Sequence, residues 1–163
     1  MQNIRIQTVV ESFDSHVELP ADEQELLESA TAVMKNAYAP YSHFHVGAAV
    51  RLGNGNIVQG SNQENMAYPS GLCAERVAFY AAGAQNPGIP ILKVAITAES
   101  EAITGDHPVA PCGACRQAML EYELHHKQPI TVILKGRLGK VYRIQGISQL
   151  LPLFFNEDGL KSR

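Results

Sequence analysis

Residues 72–84 read LCAERVAFYAAGA and residues 111–126 read PCGACRQAMLEYELHH. Each stretch opens on a cysteine and runs on in helix-forming residues, and Pro111 stands near the first turn of the second, where its missing N–H costs nothing. Between them ILKVAITAE (91–99) reads as a buried strand. Beyond them ITVILK (130–135), the turn GRLGK and VYRIQ (141–145) form a strand pair. On the N-terminal side, strands at about 45–52 and 57–61 flank Gly53-Asn54-Gly55-Asn56, where Asn-Gly supplies the positive φ angles of a tight hairpin. Further out, residues 21–38 place Leu26, Leu27, Ala30, Val33, Met34 and Ala37 on one helical stripe, closed by Ala39-Pro40. Acidic residues occupy its first turn, where the helix dipole favours them. The tail ISQLLPLFFNEDGL predicts a short helix and an aromatic-bearing extension. The order α-β-β-α-β-α-β-β predicts an α/β fold, one mixed sheet of five strands with helices covering its faces.

At 163 residues, with 45% hydrophobic and 18% charged residues, the chain has the size and apolar content of one folded domain. We divide it into an N-terminal extension, 1–20, and a single catalytic domain, 21–163. A net charge of −3 gives no general attraction to a phosphate backbone and argues against long nucleic acids as partners. No apolar run approaches the ~18 residues that span a bilayer, and the N-terminus lacks the apolar centre of a signal peptide, so a cytoplasmic protein without a membrane partner is expected. Three cysteines make no disulfide framework, and a reducing compartment would keep them as thiols.

Cys112 and Cys115 form a Cys-x-x-Cys pair, which alone fits a dithiol redox site, half a structural zinc site or two buried small residues. Cys73 shifts the balance, because it and Cys112 both open predicted helices. There the free N–H groups and the dipole favour thiolate, the form that binds metal. Three protein ligands without a fourth is the pattern of a catalytic zinc site, which keeps one position open for water. Glu75 lies two residues beyond Cys73, a spacing that converges on a metal only if the ion sits across the helix's N-terminal end. In that geometry Glu75 becomes a general base; alone it would read as a solvated first-turn glutamate. Three thiolates on one Zn²⁺ carry a net negative charge, and Arg76 and Arg116, each close behind a ligand, are candidates to donate to the sulfurs and drain it.

With these residues in hand, the chain resembles the small homotetrameric cytidine deaminases over about residues 21–160. The resemblance rests on Tyr-Ala-Pro-Tyr-Ser (38–42), Phe44 followed by Val-Gly-Ala-Ala (46–49), Asn62-x-Glu64-Asn65, Cys73-Ala-Glu75-Arg76 and Pro-Cys-Gly-Ala-Cys-Arg-Gln (111–117) in the family's order. It implies a three-layer α-β-α sandwich with one zinc per subunit on Cys73, Cys112 and Cys115. It also implies that Glu75 takes a proton from the attacking water, passes it to N3 of cytosine and then assists departure of ammonia. By the same resemblance Phe44 packs on the pyrimidine, Asn62 and Glu64 bind the ribose hydroxyls, and Ala74 contacts substrate. Tyr68 and Phe155 match positions that complete a neighbouring subunit's pocket, although Phe154 stands beside the latter. The implied role is in pyrimidine salvage.

Several features depart from the family pattern. The first twenty or so residues have no counterpart, the segment around EAITGDHP is longer than in compact members, and Gln63 replaces a more usual aliphatic residue. The six histidines lie outside the motifs, and surface or packing roles are expected of them. Three rival functions exist. A blasticidin-type aminohydrolase is disfavoured by Phe44 and the Asn62-x-Glu64 pair. A catalytically silent zinc-stabilised nucleoside-binding protein is disfavoured by Glu75, and an RNA-editing deaminase by the absence of a basic patch.

Overall fold

Alternation along the strands builds the architecture. In the computed structural model, which describes residues 1–101, 103 and 105–156, strand β2 (His45–Leu52) sends Ala48, Val50 and Leu52 to one core and Ala49 to another. Strands β4 (Ile91–Glu99) and β5 (Thr131–Lys135) do the same, with Val94, Ile96, Val132 and Leu134 on one side and Ala95 and Ile133 on the other. A sheet apolar on both faces must be covered twice, and it is. Helix α1 (Ala21–Met34) covers one face with Leu26, Leu27 and Ala30. Helices α2 (Ala74–Gln85) and α3 (Gly113–His126) cover the other, with Phe79, Met119 and Leu120 fully buried. The three-layer α-β-α sandwich expected from the sequence is thus present.

Among the described residues the sheet contains six strands rather than five, in the order β1 (Glu11–Phe13), β6 (Val141–Gln145), β5, β4, β2 and β3 (Ile57–Ser61). The unexpected member is β1, which pairs antiparallel with β6 at the sheet edge. Three residues are too few to show a period-two pattern, and side chains rather than alternation hold the strand there. Arg143 on β6 binds Glu11 through both Nε (2.7 Å) and Nη2 (3.0 Å), and its guanidinium lies over the Phe13 ring. The same arginine reaches the buried Glu23 of α1 at 3.3 Å, which Lys93 of β4 also binds at 2.8 Å. The segment 1–20 therefore contributes to the sheet, and its Leu19 is buried in the α1-side core.

Strands β2 and β3 (Ile57–Ser61) form the predicted hairpin, with Gly55 at φ +89° in its turn. Among the strands of the described residues only β4 and β5 run parallel, joined through α3. Helix α1 is four residues shorter than predicted: after Met34 the amides of Asn36 and Ala37 fold back on Val33 and Met34, and Tyr38 leaves to pair with Asn62. The predicted tail helix is a short 3-10 turn, Ile147–Leu150, and the tail from residue 157 lies outside the described residues. No helix among the described residues is long and apolar enough to cross a membrane.

Gly60 on β3 positions the site. A Cβ there would lie 2.5 Å from the Ala78 amide nitrogen and 2.6 Å from the Ala74 carbonyl oxygen, so only glycine lets the first turns of α2 rest on the sheet. That contact sets the depth at which Cys73 and Glu75 sit.

Candidate active site

Two helix N-termini meet over one end of the sheet. Cys73 is the N-cap of α2 and Cys112 the N-cap of α3, both with extended backbone, and Cys115 follows one turn inside α3. Their three Sγ atoms lie within 4.8 Å of one another, although the sequence separates them by up to forty-two positions. Sulfurs bound tetrahedrally at the ~2.3 Å of a Zn–S bond would lie about 3.8 Å apart, so this triangle fits the ion. Cys115 is buried, Cys73 half-buried and Cys112 exposed.

The electrostatics suit a cation. The Cys73 thiol is drawn down to about 5, chiefly by the hydrogen bond it accepts from Cys115 and further by Arg76, against the opposing effect of burial. Cys115, as donor in that bond and buried, is pushed up. A metal bound by these sulfurs would displace their thiol protons. Arg76 stands with Nη2 3.9 Å from the Cys73 sulfur, and its Nε is buried without a hydrogen-bond partner among the described residues. A guanidinium held by sulfur instead of a carboxylate is the donor set expected around a thiolate metal site.

Glu75 occupies the first turn of α2, buried, on the wall of a cavity of about 750 Å³ that Cys73 and Cys112 also line. Its carboxyl is raised above the ordinary carboxylate range, first by burial and then by the charge of Cys73. The cavity's other walls include Phe44, Asn62, Glu64 and Tyr68. The Ala74 side chain is fully buried in the core, while Cys73 and Glu75 on either side of it line the cavity.

Asn62 prolongs the β2–β3 ladder with its side chain. Its Oδ1 accepts from the Val46 amide and its Nδ2 donates to the Phe44 carbonyl, each at 2.8 Å. Phe44 is thereby fixed where β2 begins, and the amide keeps one N–H and one lone pair for a ligand. The Glu64 carboxylate accepts from the amides of Tyr41 (2.9 Å) and Ser42 (3.3 Å) and from the Ser42 hydroxyl, which also accepts from the Phe44 amide at 3.1 Å. The Ser42 hydroxyl is the main cause holding the Glu64 carboxyl below the usual carboxylate range. Tyr68 is 78% exposed and meets Tyr41 edge-on.

Arg116 does not follow the expectation that it donates to the sulfurs. Its Nε donates to the Pro111 carbonyl (2.8 Å) and its Nη1 to the Leu150 carbonyl (2.7 Å). Phe155 is 71% exposed, outside this subunit's cavity, whereas Phe154 packs on the core beneath α3. Site residues that sequence reasoning missed are Tyr41 and Ser42, which hold Glu64, and Val109 and Ala110, which line the cavity just before Cys112. The first two sit inside the Tyr-Ala-Pro-Tyr-Ser motif, but their link to Glu64 spans more than twenty residues and leaves no local pattern.

The family described as the cytidine and deoxycytidylate deaminase zinc-binding region matches residues 20–128. The cytidine deaminase of Sporosarcina psychrophila is 36% identical over 141 residues, covering 85% of this chain and 95% of that protein. That of Halalkalibacterium halodurans is 34% identical over 139 residues, covering 85% and 98%. The crystal structure of cytidine deaminase from Burkholderia pseudomallei superposes with a TM-score of 0.70 at 38% identity, covering 80% of this chain and 97% of that one.

Proposed function

Because the chain belongs to the cytidine and deoxycytidylate deaminase family, we propose that its cavity carries out the zinc-dependent hydrolytic deamination of cytidine and deoxycytidine, giving uridine or deoxyuridine and ammonia. The observation that carries the proposal is a buried glutamate, Glu75, on the same cavity wall as Cys73 and Cys112 of the three-sulfur cluster. Cys73, Cys112 and Cys115 would hold the zinc, which when bound supplies Lewis-acid activation of water. Glu75 takes a proton from the attacking water and delivers it to N3 as C4 is attacked. It then carries the second proton to the amino group, which departs as ammonia. One water is consumed, the C4–N bond breaks and a C4=O bond forms. Arg76, beside Cys73, offsets the charge of the thiolates.

Phe44 packs against the pyrimidine, and Asn62 and Glu64 bind the ribose hydroxyls with the N–H, lone pair and carboxylate they present. These contacts select a nucleoside over a free base. Ala74 contributes through its backbone alone, given its buried methyl. Tyr68 completes a pocket shared between subunits, and Phe155 reaches a neighbour's pocket, a reading supported by its exposure while Phe154 faces inward. The protein works as a cytoplasmic homotetramer in pyrimidine salvage.

The test is substrate selection. Purified zinc-loaded protein is given cytidine, deoxycytidine, cytosine and blasticidin S, and loss of amino-pyrimidine absorbance and ammonia release are followed. Turnover of both nucleosides with cytosine at least tenfold poorer in kcat/KM supports the reading. Faster turnover of blasticidin S, or none of either nucleoside, contradicts it.

A further inference from the structure

Cys112 is the exposed member of the sulfur cluster, so its place depends on the peptide groups around it more than on packing. Arg116 holds both. Its backbone amide donates to the Cys112 carbonyl at 3.0 Å and its side-chain Nε to the carbonyl of Pro111, the preceding residue, at 2.8 Å. The other arm of the same guanidinium, Nη1, donates at 2.7 Å to the carbonyl of Leu150, at the end of the 3-10 turn. The turn and the segment after it rest Leu150, Leu151 and Phe154 against the core while Leu153 is 89% exposed, and polar side chains of α3 hold their backbone at successive points. Glu123 accepts from the amides of Ile147 (2.6 Å) and Ser148 (3.1 Å), Arg116 binds Leu150, and Gln117 donates to the Phe155 carbonyl at 3.1 Å.

We infer that Arg116 is a positioning residue that joins the turn carrying Cys112 to the C-terminal segment Leu150–Phe155, so that metal binding and the order of that segment are linked. A planar guanidinium spans two carbonyls at fixed separation, which a lysine's single ammonium on a flexible stem cannot reproduce. Whatever fixes Pro111 and Cys112 also fixes the fork that grips Leu150. By reciprocity, a segment ordered on the fork favours the metal-ready turn. The inference rests on the reading of the three cysteines as the zinc site.

Hydrogen exchange on the full-length protein at limiting and saturating Zn²⁺, with zinc affinity from chelator competition, tests it. In the wild type, saturating Zn²⁺ slows exchange in residues 149–155 as well as in 111–116. Arg116→Lys and Arg116→Ala both bind zinc roughly tenfold more weakly, the lower end of what an outer partner of a metal ligand contributes. Both lose the zinc-dependent protection of 149–155, lysine no better than alanine. Protection confined to 111–116 in the wild type, or wild-type affinity and protection in Arg116→Lys, overturns the link. If Arg116→Ala does not fold, the wild-type titration and the lysine variant decide. Zinc that stays bound in Cys112→Ser contradicts the metal reading instead, which separates the two failures.

Discussion

In the proposed function Asn62 and Glu64 each serve the fold and a ligand together. Asn62 uses half of its hydrogen-bonding capacity as a substitute peptide between Phe44 and Val46, which makes its remaining N–H and lone pair rigid. Glu64 is held by two amides and a hydroxyl from the 41–42 turn, so its carboxylate is aimed before substrate arrives. Replacing Glu64 by alanine should raise KM for cytidine about tenfold or more, the effect of losing a hydrogen bond to a charged group, with a smaller change in kcat. An unchanged KM would remove Glu64 from the binding site. Because its carboxyl lies below the ordinary value of 4.5, its contribution is complete above that pH. It is lost only as acid carries the solution down through the lowered value. Cytidine affinity attributable to Glu64 should therefore stay level from neutrality to about that ordinary value.

The elements matter through where they end. Cys73 and Cys112 are caps of α2 and α3, so the depth at which each helix docks decides whether three sulfurs converge. Gly60 sets that depth for α2. Gly60→Val, whose branched side chain meets backbone of α2 rather than a flexible tip, should lower the urea unfolding free energy by about 1–3 kcal/mol, as overpacking does. It should also weaken zinc binding, and a variant with wild-type stability and affinity would refute this role. The helix starts were legible in the sequence because a cap and a run of helix formers are local features. The five longer strands were legible because Val94, Ile96 and Val132 and their neighbours repeat over enough residues. Strand β1 was not, since Glu11–Phe13 is held by Arg143, far along the chain. Arg116 was placed beside the sulfurs on spacing alone, but its partner Leu150 comes from a distant turn. Ala74 was assigned to the ligand through its motif, and the burial of its side chain, which depends on how α2 docks, has no local signal.

For the whole molecule, the proposed function makes assembly the property to test. Phe155 and Tyr68 are large apolar groups at the surface, and the second lies on the cavity rim. If subunits complete one another's pockets, light scattering will give a mass near four times the 17.7 kDa of one chain. Phe155→Ala will then reduce kcat/KM for cytidine without unfolding the subunit. A species of one-chain mass with full activity would contradict the shared pocket. The extra strand at the far edge of the sheet lies in the segment before residue 20, outside the family match, and the ion pairs of Arg143 tie it to both β6 and α1.

Turnover of cytidine by wild type and Glu75→Gln, at equal zinc content, bears most directly on the proposed chemistry. Glutamine keeps the shape of the side chain and removes its ability to carry a proton. The variant should keep its zinc and lose at least a hundredfold in kcat, within the range that general acid–base catalysis supplies. A zinc-loaded wild type that leaves cytidine unchanged, or a Glu75→Gln protein that deaminates it at close to the wild-type rate, would contradict the assignment.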